Sequence, residues 1–87
     1  MKVEFRSSFA KDLKIVDKAL AVRIQRVIEE IQRVDSLSDI ANLKKLRGRG
    51  NYYRVRIGDY RIGIALEGDT IEFVRLLNRK EIYRYFP

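Results

Sequence analysis

Tyr52-Tyr53-Arg54-Val55-Arg56-Ile57-Gly58-Asp59-Tyr60-Arg61-Ile62-Gly63-Ile64-Ala65-Leu66 is the stretch that decides the fold of this 87-residue chain. Two alternating runs flank Gly58-Asp59, and a two-residue break of this kind marks a tight β-hairpin. With Gly58-Asp59 as the loop, Ile57 lies opposite Tyr60, Arg56 opposite Arg61, Val55 opposite Ile62 and Arg54 opposite Gly63. Successive side chains of a strand alternate between faces, and directly opposed residues share one. Arg54, Arg56 and Arg61 therefore project from one face, beside the small residues Gly63 and Ala65, which leave room for a ligand. Val55, Ile57, Tyr60, Ile62 and Ile64 project from the other face, toward the core.

Outward from the hairpin, Thr70 to Leu77 is rich in Ile, Phe, Val and Leu and reads as a further strand after the break Glu67-Gly68-Asp69. Its register is open. A three-residue loop puts Phe73 and Arg75 on the arginine face, where Phe73 would stack a base; a two-residue loop puts Glu72 and Val74 there. The tail, Asn78 to Pro87, adds a short helical turn carrying Tyr83, Tyr85 and Phe86. Upstream, Met1 to Arg6 alternates like a half-buried strand. Ser7-Ser8 then offers an N-cap to a short helix with Phe9, Leu13 and Val16 on one side. A longer helix from about Asp17 to Val34 carries Leu20, Ile24, Val27, Ile28, Ile31 and Val34 as one apolar stripe. Asp35 to Gly50 reads as a connector, with a possible extra turn over 38–43 and a mobile, exposed, basic end: Lys44, Lys45, Arg47 and Arg49 among two glycines. The expected architecture is a single α+β domain over 1–87. Its order is β-α-α-β-β-β, with a mainly antiparallel sheet and the two N-terminal helices packed on one face.

Composition narrows the chemistry. Hydrophobic residues make up 46% of the chain, too many for a disordered segment. With no cysteine and no histidine, disulfides, thiolate or imidazole metal sites and Ser-His-Asp catalysis are all excluded. Neither a signal peptide nor a membrane span is apparent, so a cytoplasmic protein is expected. The net charge is +7, unevenly placed. Residues 1–43 hold eight Lys/Arg against seven Asp/Glu, while residues 44–87 hold eleven against five. A field concentrated in this way favours phosphate backbones or an acidic protein partner. The bland alternative is a solvated basic surface.

Opposed like charges destabilise a strand pair, and no acidic residue sits among Arg54, Arg56 and Arg61 to offset them. Guanidinium groups held on rigid strands suit an external anion, because their planar fork matches phosphate oxygens. Arg79 and several tyrosines follow close behind in the sequence.

Three stretches carry a resemblance: Leu46-Arg47-Gly48, the run from Tyr53 through Arg54 and Arg61 to Ile62, and Asn78-Arg79-Lys80-Glu81-Ile82-Tyr83. Over essentially the whole chain they resemble the RelE branch of the RelE/ParE toxins of type II toxin-antitoxin systems. The resemblance implies a metal-independent, cofactor-free endoribonuclease that cuts mRNA in the ribosomal A site. In that family the ribose 2′-hydroxyl attacks the adjacent phosphate. Arg54 and Arg56 fall at a basic pair, one aiding deprotonation and the other stabilising the transition state; Arg61 would hold the phosphorane charge. Arg79 falls at the position assigned to leaving-group protonation, and Tyr83 at one that stacks on or orients the base. The chain departs from the pattern in having arginine where well-studied members have lysine at the first pair, Asn78 where many have histidine, and Ala65 where many have tyrosine. Arginine holds its proton too tightly for an ordinary base, which leaves Tyr83, Lys44, Lys45 or the ribosome for deprotonation.

Two other functions compete. A ParE-like poison of DNA gyrase shares the fold but, as a protein-binding inhibitor, has no use for a clustered arginine set. A non-catalytic basic module would bind RNA or an acidic partner only. Lys44, Lys45, Arg47, Arg49, Phe73 and Arg75 are the expected RNA-binding residues. The partners implied by the resemblance are the ribosome with its mRNA and an acidic antitoxin lying over the basic face, with operator DNA reached only through the antitoxin complex.

Overall fold

A computed structural model of the chain describes residues 1–48 and 50–87. Its elements are β1 (Lys2–Phe5), α1 (Ser7–Leu13), α2 (Lys18–Arg33), a single 3-10 turn (Leu37–Asp39), β2 (Leu43–Lys45), β3 (Tyr52–Ile57), β4 (Tyr60–Glu67), β5 (Thr70–Asn78) and α3 (Ile82–Tyr85). The five strands form one sheet in the order β1-β5-β4-β3-β2, with β1 parallel to β5 and the other pairs antiparallel. The α+β class and the packing of both N-terminal helices on one face are as read from the sequence. Among the described residues, no helix is long and apolar enough to cross a membrane.

Helix α2 begins where Asp17 accepts a hydrogen bond from Leu20 N at 2.8 Å, an ordinary N-cap. Its apolar stripe buries Ile24, Ile28 and Ile31 against the sheet, and Phe9 of α1 joins them. From the sheet come Val55, Ile57, Ile62, Ile64, Ile71, Phe73 and Leu76. This is the main core. A smaller cluster of Leu46, Ala65, Val74, Ile82 and Phe86 lies on the opposite face.

Helix α1 also finishes the edge of β5. β1 runs beside β5 only as far as Phe5↔Phe73, which would leave the polar groups beyond that point without a strand partner. Arg6 N instead donates to Phe73 O at 2.9 Å, Ser8 Oγ donates to Val74 O at 2.6 Å, and Leu76 N donates to Asp12 Oδ2 at 2.9 Å. Asp12 also takes Arg75 Nε at 2.8 Å and Arg75 Nη2 at 3.2 Å. The expected capping by Ser7-Ser8 is therefore corrected: Arg6 is the N-cap, without a side-chain bond, and the Ser8 hydroxyl serves the strand edge.

The connector also differs from expectation. Part of it is strand, since Leu43, Lys44 and Lys45 pair with Val55, Arg54 and Tyr53, and Leu46 is buried in the second cluster rather than lying in an exposed loop. Three residues are too few for a readable alternation; pairing with β3 makes them a strand.

Removing Asp12 strips both the Arg75 fork and Leu76 N of their acceptor at a largely covered site. Asp12→Ala should lower stability by about 2 kcal/mol, read as an earlier midpoint in urea denaturation. An unchanged midpoint would show that water replaces the carboxylate without loss.

Candidate active site on the arginine face

The hairpin register is Arg54↔Gly63, Val55↔Ile62, Arg56↔Arg61 and Ile57↔Tyr60, around the Gly58-Asp59 turn. Gly58 has φ +59, a backbone state that glycine adopts without strain and that a two-residue turn led by glycine requires. Arg54, Arg56 and Arg61 accordingly occupy the face away from α2.

Each guanidinium is steadied by carbonyl oxygens. Arg54 Nη1 donates to Asn42 O at 3.1 Å, and Arg56 Nη2 reaches Asn42 Oδ1 at 3.5 Å. The same Asn42 carbonyl accepts Arg56 N at 3.1 Å. Arg61 Nη1 folds back onto the hairpin, donating to Gly58 O at 2.9 Å and Tyr60 O at 2.8 Å. The three side-chain ion pairs among the described residues are Lys2–Asp69, Arg6–Glu72 and Arg75–Asp12, none of which involves Arg54, Arg56, Arg61 or Arg79. Arg54 Nε is buried without a hydrogen-bond partner. Burial lowers the pKa of Arg61 from its ordinary value, and the charges of Arg54, Arg56 and Arg79 push the same way, with Tyr83 opposing them. Arg61 thus lies within electrostatic reach of three further cations and a phenol.

Arg79 and Tyr83 are brought there by the tail. Arg79 N donates to Asp59 O at 2.8 Å, which ties the end of β5 to the hairpin turn. Beyond it, α3 is held down by the second cluster. The Phe86 ring lies so close over Gly63 that a Cβ at that position would stand 2.7 Å from it. Tyr52 meets Phe86 edge-on, with ring centroids 5.6 Å apart. The space over Gly63 is therefore filled by the protein's own tail, not open for a ligand, while Ala65 borders a separate groove with Arg6, Tyr52 and Glu67. What remains open is a groove of about 330 Å3 lined by Lys44, Lys45, Leu46, Arg47, Tyr83, Phe86 and Pro87. Lys44 stands opposite Arg54, on the arginine side, whereas Lys45 stands opposite Tyr53 at the sheet edge.

Two expected RNA contacts are corrected by the β5 register. Glu67↔Thr70 makes a two-residue loop, so Phe73 pairs with Ile64 and is fully buried in the main core. A bulge then intervenes: Ile64 faces Phe73 and Gly63 faces Arg75, with Val74 extra between them. Arg75 returns to the row of Gly63, but its fork is bound to Asp12. It is not free for phosphate. Arg49 lies outside the described residues. Sequence reasoning missed Asn42, which anchors both Arg54 and Arg56; its signal is an asparagine at positive φ (+64), a state asparagine tolerates better than most residues.

Comparison with known proteins agrees with this geometry. The family model described as the ParE toxin of the type II toxin-antitoxin system, parDE, matches residues 3–83. Toxin RelE3 of Methanocaldococcus jannaschii is 53% identical over 88 aligned positions, covering 100% of each chain. The chain belongs to the RelE/ParE toxin superfamily, in its RelE-like branch. A chain in the crystal structure of the RelB-RelE antitoxin-toxin complex from Methanococcus jannaschii superposes with a TM-score of 0.79 at 51% identity, covering 95% of this toxin and 98% of that chain. The archaeal RelE-RelB complex from Pyrococcus horikoshii OT3 shares the fold, with a TM-score of 0.74 at 24% identity over 90% of this toxin and 93% of that chain.

The Phe86–Gly63 contact is testable in the toxin itself. Gly63→Ala should lift the tail from the sheet and cost about 1–3 kcal/mol as an overpacking change, with faster proteolytic trimming after Arg79. Stability and trimming equal to the unaltered toxin would show that the tail repacks freely.

Proposed function

We propose that this toxin is a metal-independent endoribonuclease that cleaves mRNA in the ribosomal A site. The observation that carries the reading is the set of Arg54, Arg56, Arg61 and Arg79, which gather on the hairpin and the end of β5 with no carboxylate ion-paired to them among the described residues. Attack of a ribose 2′-oxygen on the adjacent phosphorus forms one P–O bond and breaks the bond to the 5′-oxygen. The products are a 2′,3′-cyclic phosphate and a free 5′-hydroxyl. Charge gathers on the phosphoryl oxygens on the way, and cations already in place stabilise that state most. Arg61, held at the hairpin turn, takes the non-bridging oxygens together with Arg54 and Arg56. Arg79 stands at the leaving oxygen as it gains its proton. Tyr83, 63% exposed on α3, orients the base. A guanidinium does not accept the 2′ proton, so that proton passes to another group: Tyr83, Lys44 or Lys45 on the groove wall, or the ribosome. Lys44, Lys45 and Arg47 guide the strand along the groove.

The reading includes an acidic, partly disordered antitoxin that covers the basic face and displaces the segment from Glu81 to Pro87. It is supported by the relative from Methanococcus jannaschii, whose crystal structure is of an antitoxin-toxin complex. The complex would act on operator DNA through the antitoxin, and the toxin would work in the cytoplasm.

Arg61→Ala and Arg79→Ala should each reduce cleavage by about 10²–10³-fold and relieve growth arrest, with the fold intact by circular dichroism. Primer extension on mRNA from expressing cells should show cuts inside translated codons. DNA-damage signalling without such cuts would instead identify a gyrase poison, the second reading, which the ParE family match favours. Full toxicity of both single variants would overturn the residue roles.

A further inference from the structure

The open edge of β3 carries a second cationic cleft, on the helix side. β2 stops at Leu43↔Val55, so beyond that point β3 has a strand neighbour only on its β4 side. At that edge a groove of about 390 Å3 is lined by Arg56, Asn42 and the hairpin end of β3 on one side and by Arg23, Arg26 and Val27 of α2 on the other. No acidic side chain lines it. Asp17 and Asp59 flank a neighbouring groove that shares Arg23, and Glu30 and Asp39 flank another that shares Arg56. Asp17 is already occupied by Leu20 N. None of these carboxylates forms an ion pair with Arg23, Arg26 or Arg56 among the described residues.

Arg56 is hydrogen-bonded, and Arg23 lies beside the hairpin turn. Arg23 Nη1 sits 3.1 Å from where a Cβ would stand on Gly58, against the hairpin turn. Arg61 Nη1 binds the carbonyl of that same Gly58 at 2.9 Å. One turn therefore carries a cation on each side, and Arg56 lies between the two grooves with its guanidinium at Asn42. Arg23 and Arg26 are exposed and three positions apart on α2, which puts them on one helix face.

We propose that Arg23 and Arg26, on the helix side of Arg56, form a second phosphate-binding cleft, which grips the backbone of an RNA strand one step away from the phosphate held by Arg61. The inference rests on the endoribonuclease reading for its choice of ligand, but it concerns binding and not cleavage. The cleft has forks for phosphate oxygens and no stacking aromatic among its lining residues, so it takes backbone without regard to sequence.

The test uses the full chain and a single-stranded RNA with 2′-O-methyl riboses, which cannot be cut. Binding is measured across a salt series for the unaltered toxin, for Arg23→Gln/Arg26→Gln, and for Lys11→Gln/Lys14→Gln. The last pair removes the same charge from exposed positions that line none of the grooves described above. Glutamine keeps α2 helical. Each lost phosphate contact should reduce the slope of log K against log salt by about 0.7, so the arginine pair should reduce it by about 1.4 and the lysine pair by far less. Equal slopes for the two double variants would reduce the cleft to bulk charge and overturn it, as would an arginine pair indistinguishable from the unaltered toxin. Cleavage of an unmodified strand, assayed in parallel on ribosomes, separates the two ideas. Loss of slope in a toxin that never cuts RNA would keep the cleft and reject the nuclease; cutting with an unchanged slope would do the reverse.

Discussion

The turn at Gly58-Asp59 sets the side of the sheet on which every residue of β3 and β4 stands. A slip of one residue in β4 would send Ile62 and Ile64 to the wrong face and turn Arg61 toward α2's isoleucines. The core forbids this, because Val55, Ile57, Ile62 and Ile64 together are almost wholly buried. Arg56 and Arg61 are thus placed opposite each other by the burial of their neighbours, against their own repulsion. Hydrophobic packing on one face maintains electrostatic tension on the other, and that tension is available to a polyanion.

The second face is divided. Toward the turn it is cationic, with Arg56, Arg61 and Arg79. Toward the far end it is apolar, where Gly63 and Ala65 lie beneath Phe86 beside Leu46, Val74 and Ile82. The bulge at Val74 makes the division possible. Alternation turns Phe73 to the main core and Val74 to the tail, and the bulge then puts Leu76, not Arg75, back on the core face. Anchoring of the tail by this small cluster is what brings Tyr83 within electrostatic reach of Arg61. Burial of one phenylalanine therefore bears on the composition of the site, and the same contact is where a partner could dismantle it.

The hairpin was legible because it uses two local signals, strict alternation and a glycine-led turn. The α2 stripe was legible for the same reason, since periodicity reports burial directly. Phe73 was not, because the length of the loop before β5 was undecided, and Arg75 was not, because a bulge breaks the alternation and nothing local marks Val74 as the extra residue. Arg75 had a second hidden feature: Asp12 lies 63 positions away in sequence. Space beside Gly63 was misread because a missing side chain looks the same whether a ligand or Phe86 fills the gap. Asn42 escaped notice because its role passes through a carbonyl, which every residue has. Arg54, Arg56, Arg79 and Tyr83 lie within electrostatic reach of Arg61; three of the arginines share one hairpin, and Arg79 and Tyr83 follow β5.

The central claim is that Arg54, Arg56, Arg61 and Arg79 act as one anion site while Arg75, paired with Asp12, stands apart. Side-chain Nε–Hε signals followed by NMR, as the toxin is titrated with a non-cleavable dinucleotide, test this most directly. The account predicts that the signals of Arg54, Arg56, Arg61 and Arg79 move together with a single saturation curve, while that of Arg75, held by Asp12, stays in place. Uniform small shifts across all arginines, Arg75 included, would contradict it.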